Sequence, residues 1–293
     1  MRAPSPAPPA VSIVLAAFNE EAAVGATVAA LAGVLRAAPV AAWEILVVDD
    51  GSTDGTRAAA ERAGARVLQH PQNAGYGRSL KDGILAAAHD TIVICDADGT
   101  YPAAAIPELL ATFGRGFDMV VGRRGNFRDS PAKTLMRRVL KWLVEYSAGT
   151  EVPDINSGLR VFDRRDVRPL FATLCNTFSF TTSLTLACLM TGRFIGYVPI
   201  DYGLRAGRSK VRLLRDALRT LQYILEALVY YNPLKVFLLP TAFFAAAAAL
   251  GFGVWLANEH TAALIAGWFG LALALLSFFF GLLAVRLRRS RED

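Results

Sequence analysis

Residues 91–101 read TIVICDADGTY: five uncharged residues, four of them β-branched, run from Thr91 to Cys95 and end in two aspartates, Asp96 and Asp98, with Ala97 between them. A short apolar run closed by a polar turn reads as a strand buried on both faces. The same grammar recurs upstream. Val11 to Ala16 is followed by Ala17-Phe18-Asn19-Glu20-Glu21, Glu44 to Val48 by Asp49-Asp50-Gly51-Ser52, and Arg66 to Gln69 by Asn73-Ala74-Gly75-Tyr76-Gly77. Between these runs the chain predicts helices over 20–35, over 54–63 with Asp54 as N-cap, over 80–88 and over 106–113, and then a further strand at 119–121. Strands that alternate with helices imply an α/β fold with a mostly parallel sheet covered on both faces. In such sheets ligands bind beyond the carboxyl ends of the strands, and each polar cluster quoted above falls at such an end.

The chain has 293 residues, 54% of them hydrophobic, and a formal charge of +6. The apolar excess sits in the last sixty residues. Val236 to Ala257 and Ala262 to Val285 carry no charge, and only Asn258 to Thr261 separates them. At about 1.5 Å per residue each is long enough to cross a hydrocarbon core of roughly 30 Å. Before them, Leu214, Ala217, Leu218, Leu221, Leu225 and Leu228 recur at helical spacing opposite Arg215, Arg219, Gln222 and Glu226, which predicts an amphipathic helix at a membrane surface. Lys235 and the arginines from Arg205 to Arg219 precede the first span, and Arg286, Arg288, Arg289 and Arg291 follow the second. The positive-inside rule then places both termini and the N-terminal domain in the cytoplasm.

The expected organisation is a Pro/Ala-rich leader over 1–10 without a signal-peptide core, a catalytic domain over 11–210, an interface helix over 211–233 and a hairpin of two spans over 234–293. Three cysteines, Cys95, Cys175 and Cys188, form no disulfide framework and suit a reducing compartment. The positive charge suits an anionic membrane or substrate, and no nucleic-acid motif is present. Gly251, Gly253, Gly267 and Gly270 permit close helix packing, so a homo-oligomer is compatible with the sequence.

Two carboxylates two residues apart at a strand end suit a hard divalent ion, Mg²⁺ or Mn²⁺, which prefers oxygen and shares phosphate ligands. A nucleoside diphosphate leaving group needs such charge neutralisation. A carboxylate in the Asp49-Asp50 turn can accept from a base or a ribose hydroxyl, and Gly51 and Gly55 let that turn close tightly.

Phe18-Asn19-Glu20, Asp49-Asp50-Gly51-Ser52, Asn73-x-Gly75-x-Gly77 and Asp96-x-Asp98, in this order, resemble the family 2 glycosyltransferases of GT-A fold. The resemblance covers residues 11 to about 210. Asp154-Ile155-Asn156-Ser157-Gly158-Leu159-Arg160 and Arg205-x-Gly207-x-Ser209-Lys210, ahead of the amphipathic helix and two spans, are similar to the dolichol-phosphate mannose synthases and the bacterial polyprenyl-phosphate sugar synthases. The resemblance implies that Asn19, Glu20 and Asp50 hold the nucleoside, with Ala17, Asp49, Asn73 and Ala97 on the same nucleotide-sugar side, and that Asp96 and Asp98 hold the metal and diphosphate. It implies Arg123 and a basic residue of the next helix, Arg137 or Arg138, at the lipid phosphate. Asp154 and Arg160 fall by the reacting sugar, and Arg205, Ser209 and Lys210 close over the diphosphate or acceptor. Asp98, Asp154, Arg205 and Lys210 form the implied catalytic set. Three departures stand out. Gly99-Thr100-Tyr101 replaces the frequent Leu-Gln-His, which takes away the basis for a third metal contact. Ala16-Ala17 replaces a proline, and Ser179 to Ser183 stands where many relatives carry an acidic residue.

The expected activity is an inverting transfer of a hexose, from GDP-mannose or UDP-glucose in the first instance, to a polyprenyl or dolichyl phosphate. A lipid phosphate with a second pKa near about 6 is already largely dianionic and needs little help from a base, so Asp154 either orients or abstracts. Two rival readings compete with this one. A processive polysaccharide synthase would carry Q-x-x-R-W and more spans. A non-catalytic partner of a flippase or larger transferase would have no need to keep Asp50, Asp96 and Asp98 together.

Overall fold

The structure is a computed structural model and describes residues 8–125, 131–177, 179–203 and 213–289. The chain forms two compact units, 1–223 and 224–293.

In the first unit, β1 (Ala10–Ala17), β2 (Ala42–Asp49), β3 (Arg66–Gln69) and β4 (Thr91–Asp96) alternate with α1 (Glu21–Ala37), α2 (Thr56–Arg62) and α3 (Tyr76–Ala86). After a short 3₁₀ turn come α4 (Ile106–Phe113), β5 (Met119–Arg124), α5 (Pro131–Ala148), β6 (Arg160–Asp163), the single turn α6 (Arg164–Val167), α7 (Phe180–Met190) and β7 (Ile195–Ile200). The seven strands lie in the order β3-β2-β1-β4-β6-β5-β7. β1 pairs in parallel with β2 and β4, β2 with β3, and β5 with β7, while β6 runs antiparallel between β4 and β5. The sheet is therefore mixed but mostly parallel, as the alternation implies, and β6 is a strand that the sequence pattern does not disclose.

Burial follows the sequence pattern. Val11, Ile13, Val14 and Leu15 of β1 and Ile92, Val93 and Ile94 of β4 are fully buried, consistent with cover on both faces. Val24, Val28, Leu31 and Leu35 of α1 recur at helical spacing and belong to the same core. α2 starts two residues later than expected, at Thr56. Asp54 still serves its start, because its Oδ1 accepts the Thr56 N–H at 3.0 Å while Oδ2 accepts the Glu21 N–H at 3.3 Å. Gly83 seats α3 on the sheet: a Cβ there would lie 2.5 Å from Val14 Cγ1 and 2.8 Å from Val48 Cγ2.

α8 (Leu213–Tyr231) is the expected amphipathic helix. Within the expected apolar stripe Leu225 is exposed and Leu228 is buried, as is the neighbouring Ile224. In the second unit, α9 (Pro233–Asn258) and α10 (Thr261–Arg289) are long and apolar enough to cross a membrane. They are not core helices in disguise, since Phe243, Leu250, Leu256, Ile265 and Phe269 are each at least 64% exposed. An exposed apolar surface of this extent marks a membrane or protein interface. The two helices pack through glycine. A Cβ on Gly251 would lie 2.7 Å from Gly267 N, and one on Gly270 would lie 2.9 Å from Ala248 N. Three of the four glycines expected to permit close helix packing do so inside the hairpin, and Gly253 alone of the four faces open space. Arg288, in the last turn of α10, donates to the Tyr231 carbonyl at the end of α8, just before α9, which joins the two ends of the hairpin.

Gly83→Ala tests the seating of α3. Overpacking of this kind costs about 1–3 kcal/mol, so the melting temperature of the detergent-solubilised protein should fall by several degrees. An unchanged melting temperature would mean that α3 moves freely on the sheet.

Candidate active site

The loops beyond the carboxyl ends of β1 to β4 are bound to one another rather than free in solvent. Asn19 adopts a left-handed backbone (φ 52°), donates its N–H to Ser52 Oγ at 2.9 Å, and accepts the Thr53 N–H on Oδ1 at 2.9 Å. The Glu20 N–H reaches Thr56 Oγ1 at 2.8 Å. Ala17, buried at the end of β1, accepts the Asp50 N–H at 2.8 Å. Asp49 accepts the Ser52 N–H at 3.0 Å and is buried.

Asp50 is the hub of this wall. Its Oδ1 faces His70 Nδ1 at 2.8 Å and accepts the Ala74 N–H at 2.9 Å, while Oδ2 accepts the Gly75 N–H at 2.9 Å. The expectation from sequence is that Asn19, Glu20 and Asp50 hold the nucleoside, with Asp49 on the same side. Both aspartate carboxylates are buried and bonded within the protein, in the wall that also carries Asn19, Glu20 and the exposed Asn73. Gly51 is required at its position: its φ is +72°, and a Cβ would meet Gln72 C at 2.6 Å.

At the centre, Asp96 Oδ1 accepts the Tyr76 hydroxyl at 2.7 Å. Its carboxylate lies against Gly158, where a Cβ would come within 2.8 Å of Oδ1 and 2.9 Å of Oδ2. Asp98 Oδ1 accepts the Thr100 N–H at 3.1 Å and its hydroxyl at 2.7 Å. The intervening Ala97 is buried, and its carbonyl accepts Thr27 Oγ1 at 3.2 Å. Burial, and then the Asp96 charge, raise the Tyr76 phenol well above the ordinary tyrosine value, so it stays a donor. Among the described residues no set of three His, Cys, Asp or Glu side chains is placed to hold a metal ion. Two partly open carboxylates suit a hard divalent ion that completes its shell with water and phosphate oxygens. A closed zinc site would need four ligands. The donor set therefore fits the expected Mg²⁺ or Mn²⁺.

The opposite wall corrects the sequence reading most. Asp154 forms a two-pronged ion pair with Arg124, Nε to Oδ2 and Nη2 to Oδ1, each at 2.8 Å, and also accepts the Arg124 and Asn156 N–H groups at 3.1 Å. Burial opposes the charge on Asp154, but the Arg124 hydrogen bonds and charge outweigh it and the pKa is lowered. Burial likewise opposes the Arg124 charge, and the Asp154 hydrogen bonds reverse it to a net rise. A carboxylate held in this way is a weak base, and of the two roles open to Asp154 the geometry supports positioning.

Arg124 lies over the Tyr202 ring at 5.4 Å, and Tyr202 meets Tyr101 edge-on at 5.0 Å. The Tyr101 hydroxyl accepts the Gly158 N–H at 2.6 Å. Arg160 is fully buried. Its Nε donates to Ser157 O at 2.7 Å, Nη1 to Thr185 Oγ1 at 2.7 Å and Nη2 to Ile155 O at 2.7 Å. It props the 154–158 loop; burial is the main influence on its pKa, which is lowered. Arg123 is exposed, and so is Arg138. The Arg137 side chain and residues Arg205, Ser209 and Lys210 lie outside the described residues. Before them, the Gly203 N–H donates to the Thr100 carbonyl at 2.9 Å, two residues past Asp98.

Sequence reasoning thus misses Arg124, Tyr76, Tyr101, Tyr202 and His70. Tyr76 and Tyr101 lie within quoted motifs. Arg124 cannot be told from Arg123, because neighbouring strand residues point to opposite faces and only the register decides between them.

The family model described as glycosyl transferase family 2 matches residues 12–171, the segment that carries most of β1, all of β2 to β6 and both carboxylate turns. The chain belongs to that family. This glycosyltransferase is 41% identical over 206 residues to an uncharacterised glycosyltransferase of Mycobacterium tuberculosis, covering 69% of this chain and 89% of that one. It is 31% identical over 205 residues to a dolichyl-phosphate hexose transferase of Haloferax volcanii, covering 69% and 86%. Among solved structures, glucosyl-3-phosphoglycerate synthase from Mycobacterium tuberculosis, in complex with Mn²⁺, UDP and glucosyl-3-phosphoglycerate, superposes with a TM-score of 0.62 at 22% identity, covering 75% of this chain and 80% of that one. That likeness establishes the GT-A fold.

Asp154→Asn removes one partner of a buried pair and should cost about 3 kcal/mol. Because the Asp154 pKa is lowered on folding, its contribution is complete above the ordinary aspartate value of about 3.9 and is lost as the pH falls below it. The stability gap between wild type and variant, measured by denaturant unfolding, should therefore hold at neutral pH and narrow below about pH 4. A gap that is small at neutral pH would contradict the pairing.

Proposed function

We propose that this glycosyltransferase moves a hexose from a nucleotide-sugar to the phosphate of a polyprenyl lipid, with inversion, at the cytoplasmic face of a membrane that α9 and α10 cross as a hairpin. The observation that carries the reading is the Gly203–Thr100 hydrogen bond. It anchors the chain two residues past Asp98, immediately before the segment bearing Arg205, Ser209 and Lys210. The dolichyl-phosphate hexose transferase among the relatives supports a lipid-phosphate acceptor. The fold neighbour solved with Mn²⁺ and UDP supports a metal-bound nucleoside diphosphate.

Asp96 and Asp98 would hold Mg²⁺ or Mn²⁺, which supplies charge neutralisation for the departing diphosphate. Everything else falls to side chains. Asn19, Glu20 and Asn73, on the wall that Asp50 supports, receive the nucleoside end. Tyr76 holds Asp96 in place through a proton it does not give up. On the far wall Arg124, fixed by Asp154 and stacked on Tyr202, presents a guanidinium suited to a phosphate oxygen pair. Arg205 and Lys210 add cations from the following segment. The arriving phosphate monoester is largely a dianion at neutral pH. Its attack on the anomeric carbon from the side opposite the diphosphate breaks the glycosyl–phosphate bond, forms a new one and inverts the centre. The site's task is to let two anions approach, which fixed cations achieve.

GDP-mannose and UDP-glucose lead as donors. Purified protein, Mg²⁺ or Mn²⁺, polyprenyl phosphate and a panel of radiolabelled nucleotide-sugars test the reading directly: one donor should yield organic-extractable label, and no transfer from any would sink it. Asp98→Ala should abolish transfer with the fold intact by circular dichroism. Arg205→Ala should lower kcat/KM for the lipid at least tenfold, about 1.4 kcal/mol of transition-state stabilisation; unchanged kinetics would exclude its segment from the site.

A further inference from the structure

His70 follows β3 on the far side of the nucleotide wall. Its side chain is 12% exposed and sits between two carboxylates: Nδ1 is 2.8 Å from Asp50 Oδ1, and Nε2 is 3.2 Å from Asp82 Oδ2 on α3. Nε2 makes no hydrogen bond of good geometry, and Ser79 Oγ is 3.5 Å from Nδ1. Arg78 Nε binds the same Asp82 oxygen at 2.6 Å. The Nδ1 contact is therefore the working one, and its partner Asp50 also receives the Ala74 and Gly75 N–H groups. Gly75 has a φ of +101° and packs against the Asn176 carbonyl, where a Cβ would approach to 2.8 Å. The next residue, Tyr76, places its hydroxyl on Asp96. A continuous series of contacts thus runs from His70 through Asp50 and the 74–75 backbone to Tyr76 and the Asp96 carboxylate.

We propose that His70 is a positioning residue for the metal–diphosphate site. By donating to Asp50 it holds that carboxylate where both oxygens can grip the Ala74 and Gly75 amides, and that grip sets Tyr76 on Asp96. A carboxylate with three donors is oriented more tightly than one with two, and removing a donor loosens whatever the carboxylate holds. His70 touches neither metal nor donor in this arrangement. It acts through the strap and should govern how well the nucleotide and ion bind, with little effect on the rate once they are bound. The inference rests on the proposed role of Asp96 in holding the ion.

The test uses the full-length protein in detergent, with two readouts. One is Mn²⁺ binding in the presence of GDP or UDP, followed by electron paramagnetic resonance. The other is hydrogen exchange of the 73–77 segment without ligand. His70→Ala should weaken Mn²⁺–nucleotide binding at least fivefold and speed exchange at 74–75, with kcat at saturating donor changed less than twofold. His70→Asn, whose amide nitrogen can occupy the Nδ1 position, should restore both to within twofold of wild type. Tyr76→Phe added to His70→Ala should weaken binding no further, the signature of residues acting in one series. Should His70→Ala not fold, His70→Gln, with its amide displaced toward Nε2, carries the same expectation of loss. Lowered thermal stability with exchange and binding unchanged would overturn the proposal and leave His70 a packing residue. Faster exchange with binding unchanged would also overturn it, and would leave the role of Asp96 and Asp98 to stand on the Asp98→Ala assay.

Discussion

A carboxylate at the end of a buried strand must be met by donors, and one short segment of this chain meets two such carboxylates. Asp50 directly follows β2 and Asp96 ends β4, on either side of β1. Residues 70–76 supply His70 and the Ala74 and Gly75 amides to the first and the Tyr76 hydroxyl to the second. The cost of leaving a buried polar group unsatisfied, about 1–3 kcal/mol each, makes this lacing a condition of folding. It also makes the site rigid. Once the segment is in place the nucleotide wall and the centre of the site share a single backbone, and the glycines at 51 and 75 are the residues that let the backbones approach so closely.

The far wall is built differently, from a cation. Arg124 and Asp154 form a buried pair between β5 and the loop before β6, and the aromatic rings of Tyr202 and Tyr101 join that pair to Gly158, against which Asp96 rests. One wall is thus held by carboxylates that accept backbone amides and the other by a guanidinium fixed on a carboxylate, with the pair Asp96 and Asp98 between them. In the proposed reaction this asymmetry has a use: the hydrogen-bonding wall receives a nucleoside and the wall that carries Arg124 receives a second phosphate.

Much of this was legible in the sequence, and the misses follow a rule. Alternating apolar runs and polar turns disclosed the sheet, its parallel majority and the edge on which the site lies, because burial on both faces leaves an unmistakable pattern. The two apolar spans were legible because a lack of charge over more than twenty residues has few other meanings. The antiparallel β6 was not, since Arg160 to Asp163 is only four residues long and opens and closes on charged residues that the fold buries. Roles for single side chains were harder still. Asp50 and Arg160 stand in motifs that mark the edge of the sheet, and the fold buries both, while Arg124 was hidden beside Arg123 by strand alternation. A motif locates an edge of the fold, whereas the direction a side chain takes from that edge depends on pairings with residues dozens of positions away.

The central claim is that a metal held at Asp96 and Asp98 and the phosphate of a lipid meet in one site. Paramagnetic broadening measures this directly. With the protein in lipid nanodiscs containing polyprenyl phosphate and with GDP or UDP present, replacing Mg²⁺ by Mn²⁺ should strongly broaden the ³¹P resonance of the polyprenyl phosphate, because the ion and that phosphorus lie within a few bonds' reach of each other. A lipid phosphate resonance unaffected by Mn²⁺, under conditions where both the ion and the lipid are bound, would place the two phosphates in separate sites and contradict the account.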